Sequence, residues 1–205
     1  MNKYQWPIEI KYKVVPHDYY GMRPSNYNIY KPHFHFGFDV TADINTPIKP
    51  LLPGIVTFVG LDESKDENGL PIFNTKYGNK LEILQEDGNL AVFGHLRTIT
   101  VDVGQVVGYN DIVAYSGCSG GSRIPHLHIE IRRGNQEKGR QDNTYNPLDL
   151  LPMIDLKRFT KPFTTAPYNH LWNILNSENP YNFSSKDIWW ENDSELIRWE
   201  TYQNT

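Results

Sequence analysis

The chain has 205 residues, of which 39% are hydrophobic and 21% charged, with a formal net charge of -4; this suits one domain with an extension or two small ones, and excludes a disordered chain. A weakly acidic balance without clustered Lys and Arg gives no general attraction to nucleic acid or anionic lipid. The one cysteine, Cys118, cannot form an internal disulfide, so the fold is expected to hold by packing and by any metal it binds.

In chain order, the N-terminus lacks the apolar stretch of a secretory signal, and no run of about 18 apolar residues occurs anywhere, so neither export by a visible leader nor membrane insertion is expected. From Ile8 to Val14, Ile8, Ile10, Tyr12 and Val14 alternate with Glu9, Lys11 and Lys13, which predicts a strand. A turn-rich stretch, Pro16 to Pro32, leads into His33-Phe34-His35-Phe36-Gly37-Phe38-Asp39-Val40, where Phe34, Phe36, Phe38 and Val40 would share one face.

Further strands are predicted at Gly54 to Val59, Lys80 to Leu84 and Leu90 to Phe93, with Leu61 to Lys76 a long surface loop or loose hairpin. A strand pair is expected within Thr98 to Val113, followed by a Gly/Ser loop from Ser116 to Ser122. His126 to Ile131 then reads as a strand with Leu127, Ile129 and Ile131 inward. Short strands with Gly and Pro turns predict a mainly β architecture, a sandwich or open barrel. Past Pro152 the character changes. Trp172, Trp189, Trp190 and Trp199 cluster in residues 155–205, and Ser184 or Ser185 could cap a helix running toward Trp199. The chain thus divides into a domain at 1–154 and a small helical extension at 155–205.

Four of the seven histidines lie in or beside predicted strands. Residues i, i+2 and i+4 of a strand share a face, so His35, Gly37 and Asp39 would line one surface, with Gly37 leaving room for a metal ion. His126 and His128 likewise share a face. A single histidine is ordinarily a surface or hydrogen-bonded residue, and it is the joint pattern that points to a metal. A catalytic zinc takes three ligands from His, Asp, Glu or Cys and keeps a fourth position open. Two histidines and one aspartate fit, with His95 and His126 to spare for proton transfer.

These residues carry a family resemblance. His35-Phe36-Gly37-Phe38-Asp39 resembles the His-x-Gly-x-Asp motif of the lysostaphin-type zinc metalloendopeptidases, Pro125-His126-Leu127-His128 resembles their His-x-His motif, and Phe93-Gly94-His95-Leu96 resembles the segment between them. Tyr20 to Arg23, Thr46 to Ile48, Gly54 to Val56 and Asn146 to Leu148 resemble flanking elements, so the likeness runs from about residue 20 to 152. It implies a folded antiparallel β-sheet crossed by a groove, with Zn2+ held by His35, Asp39 and His128. His95 and His126 would act on the attacking water or the developing oxyanion. An oxyanion tyrosine upstream of the first ligand is implied as well, Tyr30 with Tyr27 as the second choice. The implied substrate is peptidoglycan, reached outside the cell or from a virion; the bond cut and the oligomeric state stay open.

His33 is expected to lie outside the ligand set, and His17 and His170 have no partners at ligand spacing. A thiol mechanism at Cys118 would leave His35 and Asp39 unexplained. Two other classes are weighed against the enzyme. A regulatory module that activates other wall hydrolases would lack part of the constellation, whereas all five polar positions are present. A cupin-like metal oxygenase would need a later histidine strand that the chain does not have. For the tail, packing of Trp172, Trp189 and Trp199 as a cap is expected over a docking patch at Trp189 and Trp190.

Overall fold

Apolar residues recur every second position along four strands, and their common face builds the core. The computed structural model describes residues 3–11, 19–23, 33–62, 64–65, 71–72, 77–122, 124–135 and 141–154. The strands are β1 Gly21–Arg23, β2 His33–His35, β3 Phe38–Thr41, β4 Pro47–Ile48, β5 Gly54–Leu61, β6 Ser64–Lys65, β7 Pro71–Ile72, β8 Asn79–Gln85, β9 Leu90–Ile99, β10 Val106–Val107, β11 Ala114–Ser116, β12 His126–Arg132 and β13 Thr144–Tyr145. Among the described residues the sole helical element is a 3-10 turn at Pro147–Asp149, opened by Asn146, whose side chain accepts from the Leu148 amide. No helix of the described residues is long and apolar enough to cross a membrane.

Nine strands form one antiparallel sheet in the order β10-β5-β8-β9-β11-β4, with β12 set between β9 and β3 and also pairing with β13. The long strand β9 organises it. Its first half pairs with β8 and β12, and its second half turns to pair with β11. β1 and β2 make a separate ribbon, and β6 and β7 another, the latter giving the loose-hairpin form of the segment after Leu61.

Phe38, Val40, Leu81, Ile83, Ala91, Phe93, Leu127, Ile129 and Ile131 are all buried on the apolar face. Large apolar side chains each contribute about 1.5–3 kcal/mol when fully buried, which makes this face the main source of stability. The N-terminal segment covers part of it. Ile8 and Ile10 are buried while Glu9 and Lys11 are exposed, so the alternation is as read, yet Ile8 to Lys11 joins no strand. Its polar groups go elsewhere: Gln5 N–H donates to Leu51 O, Lys49 N–H to Pro7 O, and Trp6 Nε1 to Pro152 O. Trp6 also packs edge-on against Phe38. The opposite face carries the polar alternates of β12 and β8, and there the candidate site lies.

Candidate metal centre

The run from His33 to Val40 is not one strand. It breaks at Phe36-Gly37, so that β2 pairs with β1 while β3 pairs with β12. In the β3–β12 register His128 stands opposite Asp39, which sets an imidazole beside a carboxylate on one face. His35 arrives from the other ribbon. His128 Nδ1 lies 2.8 Å from Asp39 Oδ1, His35 Nε2 lies 3.2 Å from the same oxygen, and the two ring nitrogens are 3.2 Å apart. These three buried residues could hold a metal ion. Donors about 2.0–2.1 Å from a tetrahedral zinc stand roughly 3.3 Å from one another, so the set fits zinc with little adjustment.

Three of the four rings, those of His35, His95 and His126, are oriented by a backbone carbonyl at Nδ1. His35 Nδ1 donates to Tyr19 O at 3.0 Å, leaving Nε2 unprotonated toward the centre. His95 Nδ1 donates to Ser119 O at 2.8 Å, and His126 Nδ1 donates to Ile124 O at 2.9 Å with Ser122 Oγ 3.0 Å away. In both cases this leaves Nε2 as the unprotonated nitrogen of the neutral ring. His126 Nε2 is 3.7 Å from Asp39 Oδ1, and the His95 and His126 ring centroids are 4.5 Å apart. Two imidazoles with anchored Nδ1 therefore flank the three donors.

His95 reaches this face through a backbone irregularity. Phe93 points into the core, and strict alternation would send His95 after it. Instead His95 has φ +60°, and the register of β9 shifts against both β8 and β11 around this point. A bulge of this kind re-aims a side chain, and a non-glycine residue in left-handed conformation costs of order 1–3 kcal/mol. The position is held by His95 N–H donating to Tyr77 O at 2.6 Å. Ser119 locks the adjoining loop, its Oγ donating to Leu96 O and accepting from the Asn79 amide. Gly78, at φ +60°, lies against Ser119, where a Cβ would come within 2.4 Å.

Behind His128 runs a buried row of charges. Glu130 accepts from Tyr77 Oη at 2.5 Å and from Arg132 Nε at 2.8 Å. Arg132 reaches Glu82 at 3.3 Å, and Lys80 bridges Glu82 at 3.0 Å and Asp62 at 3.5 Å. Burial pushes the Glu130 carboxyl up, but His128 and Arg132 outweigh it and hold the group at about 2. Burial and the Glu130 charge push the Tyr77 phenol up, so it stays a donor. Burial lowers His128, yet Asp39 and Glu130 prevail and raise it to about 9 in the metal-free chain. His95 goes the other way: burial, then His126 and His128, hold it well below the ordinary range against the pull of Asp39.

The five residues His35, Asp39, His95, His126 and His128 thus come together from β2, β3, β9 and β12. Tyr30, Tyr27, His17 and His170 lie outside the described residues, as do residues 155–205 with the expected helical cap. His33 opens β2, and Cys118 sits 3.5 Å from Ser122 Oγ. The expectation for Gly37 needs correcting: the space it leaves is taken by the His128 ring and the Ile129 carbonyl, not by the ion. The sequence reading missed Tyr19, Ser119, Tyr77 and Arg132. Of these, Arg132 had a signal, since His126, His128, Glu130 and Arg132 alternate along one strand.

Two imidazoles and a carboxylate converging from an antiparallel sheet, with two more imidazoles alongside, define a centre of the metallohydrolase class. The chain belongs to peptidase family M23, whose model matches residues 33–143. The DD-carboxypeptidase/endopeptidase Mpg of Neisseria meningitidis serogroup B is 29% identical over 102 residues, covering 50% of this chain and 21% of that protein. Lysostaphin of Staphylococcus simulans is 30% identical over 97 residues, covering 47% of this chain and 17% of its own. The chain spans about a fifth of the length of these curated relatives. The crystallized catalytic domain of the antimicrobial peptidase lysostaphin from Staphylococcus simulans superposes with a TM-score of 0.52 at 26% identity, over 64% of this chain and 86% of that one.

Proposed function

We propose that this chain is a zinc-dependent endopeptidase that hydrolyses peptide bonds in the cross-bridges or stem peptides of bacterial peptidoglycan, its catalytic unit lying within residues 1–154. One observation carries the reading: His35 Nε2, Asp39 Oδ1 and His128 Nδ1 converge within 3.2 Å, beside two imidazoles whose Nδ1 atoms are anchored. His35, Asp39 and His128 would hold the ion. Bound zinc supplies Lewis-acid polarisation of a carbonyl and a more acidic water at neutral pH. The chain's own residues do the rest. His126 and His95 present unprotonated Nε2 atoms, suited to take a proton from the attacking water and return one to the leaving amine. Burial, with His126 and His128 beside it, holds the His95 pKa well below its ordinary value, which favours the neutral ring. Tyr30 is assigned to the oxyanion.

Peptidoglycan as substrate is supported by family membership and by what the relatives are named for, an antimicrobial peptidase and a DD-carboxypeptidase/endopeptidase. Action on the wall from outside the cell or from a virion follows from that substrate. The test is digestion of purified peptidoglycans of different cross-link chemistry by the zinc-loaded protein, with mass spectrometry of the released fragments. New amino termini at a cross-bridge or stem position are expected. Release of sugar fragments alone, or no release from any wall, would overturn the proposal.

A further inference from the structure

We propose that Glu130 is a positioning residue that selects which nitrogen of His128 faces the metal. The inference rests on the reading of His128 as a ligand. The imidazole has two nitrogens, and only the one without a proton can bind a cation. Nδ1 is the nitrogen beside Asp39 and His35. The proton must then sit on Nε2, on the side of the ring away from the centre. That atom is fully buried and has no hydrogen-bond partner among the described residues, an arrangement that native interiors rarely leave uncompensated.

Glu130 Oε2 stands 3.7 Å from it. Closing by roughly 0.7 Å would make an ordinary N–H···O bond of about 3.0 Å, a shift within the reach of a small turn of the His128 ring or the Glu130 carboxylate. The carboxylate is built for this one geometry. It is wholly buried, Arg132 Nε occupies Oε1, and the Tyr77 hydroxyl donates to Oε2. Both oxygens are thereby presented as acceptors, so a donor, never an acceptor, can stand at His128 Nε2. Space for this arrangement comes from Gly94, opposite His128 in the β9–β12 register. A Cβ there would meet Tyr77 Cδ1 at 3.2 Å and His128 Cβ at 3.4 Å. Beyond Arg132 the row continues through Glu82 and Lys80 to Asp62. A buried row of this kind is seldom a source of net stability, which fits its use to fix one ring in one tautomer.

The test compares wild type with Glu130→Gln. A glutamine can turn its oxygen to Arg132 or to Tyr77 but not to both, and with the oxygen on Arg132 its NH2 faces His128 and favours the tautomer with the proton on Nδ1. Zinc affinity, measured by competition with a chromogenic chelator, should weaken about 10- to 100-fold, and the visible spectrum of the cobalt-loaded variant should change. In zinc-loaded wild type, 15N-histidine NMR should show a slowly exchanging proton on His128 Nε2, absent or fast-exchanging in the variant. If Glu130 serves only as a partner for Arg132, Glu130→Gln will melt earlier yet bind zinc as tightly, with the same cobalt spectrum, and the inference fails. Should the variant not fold, the wild-type NMR decides: zinc on Nε2, or an Nε2 proton exchanging freely, overturns the proposal. Absence of zinc binding by wild type would instead overturn the reading of the site itself, so the two failures are distinct.

Discussion

Substituting Gly37 by alanine tests how tightly the ligands are packed. Gly37 joins β2 to β3, and a Cβ there would lie 2.4 Å from Ile129 O, 2.6 Å from His128 Cε1 and 2.8 Å from His128 Nε2. Carbon–oxygen contacts ordinarily begin near 3.3 Å, so roughly 0.9 Å must be found. The Ile129 carbonyl cannot readily give, because Ile129 is paired with Phe38 on one side and Phe93 on the other. Either the His128 ring swings away or the β2–β3 link lifts off, and both movements exceed the roughly 0.2 Å tolerance of a metal site. Overpacking of this kind costs about 1–3 kcal/mol. Expressed as zinc affinity that is roughly a 5- to 150-fold loss. Chelator competition gives the affinity, and thermal unfolding of the metal-free protein shows how much strain falls on the fold instead. Gly37→Ala with unchanged zinc affinity and unchanged melting temperature would refute the packing argument.

Alanine at His35, Asp39 or His128 should remove both zinc and activity, measured by metal analysis and wall digestion, and an active metal-free His128→Ala would contradict the ligand set. His95→Ala and His126→Ala should keep about one zinc per chain and lose about 10²- to 10⁴-fold in rate; loss of zinc from either, with zinc retained by His128→Ala, would invert the roles. Metal binding and stability should respond to pH in opposite senses. His128 is raised from its ordinary value near 6.5 to about 9 in the metal-free chain, so its contribution to stability is full below pH 6.5 and is lost as pH rises toward 9. Over the same window zinc binding must displace that proton, and affinity should climb up to tenfold per pH unit from this group; flat affinity between pH 6.5 and 9 would contradict the assignment. Tyr30→Phe should lower the rate without changing zinc content, and an unchanged rate would remove Tyr30 from the mechanism.

Much of the centre was legible because strand periodicity decides which side chains share a face. His126 and His128 on one side of β12, with Leu127, Ile129 and Ile131 on the other, follow from spacing alone. The irregular parts were not legible. His95 lies on the site face only because of its left-handed backbone and the register shifts around it, and the alternation of Phe93 with His95 argues for the opposite side. The row from Glu130 to Asp62 is assembled across β12, β8 and the residue that follows β5, and strand pairing between distant segments cannot be read from a local pattern. Ile8 and Ile10 alternate with Glu9 and Lys11 as a strand would, yet they cover the sheet without joining it. Periodicity reports which side is buried. It does not report what the backbone hydrogen-bonds to.

The ribbon of β1 and β2 is separate from the nine-stranded sheet, yet it carries His35. Its ties to the main body include a stack of Tyr19 on Phe38 and the Tyr20 hydroxyl on Thr144. A bound ion would add a staple between residues 93 positions apart in sequence. At free zinc 100 times the dissociation constant the staple contributes about 2.7 kcal/mol, which cuts the population of lifted ribbons about 100-fold. Metal loading and survival against proteases then become one quantity. Chains without zinc would then lift this ribbon more often, a difference that limited proteolysis with and without the ion would read.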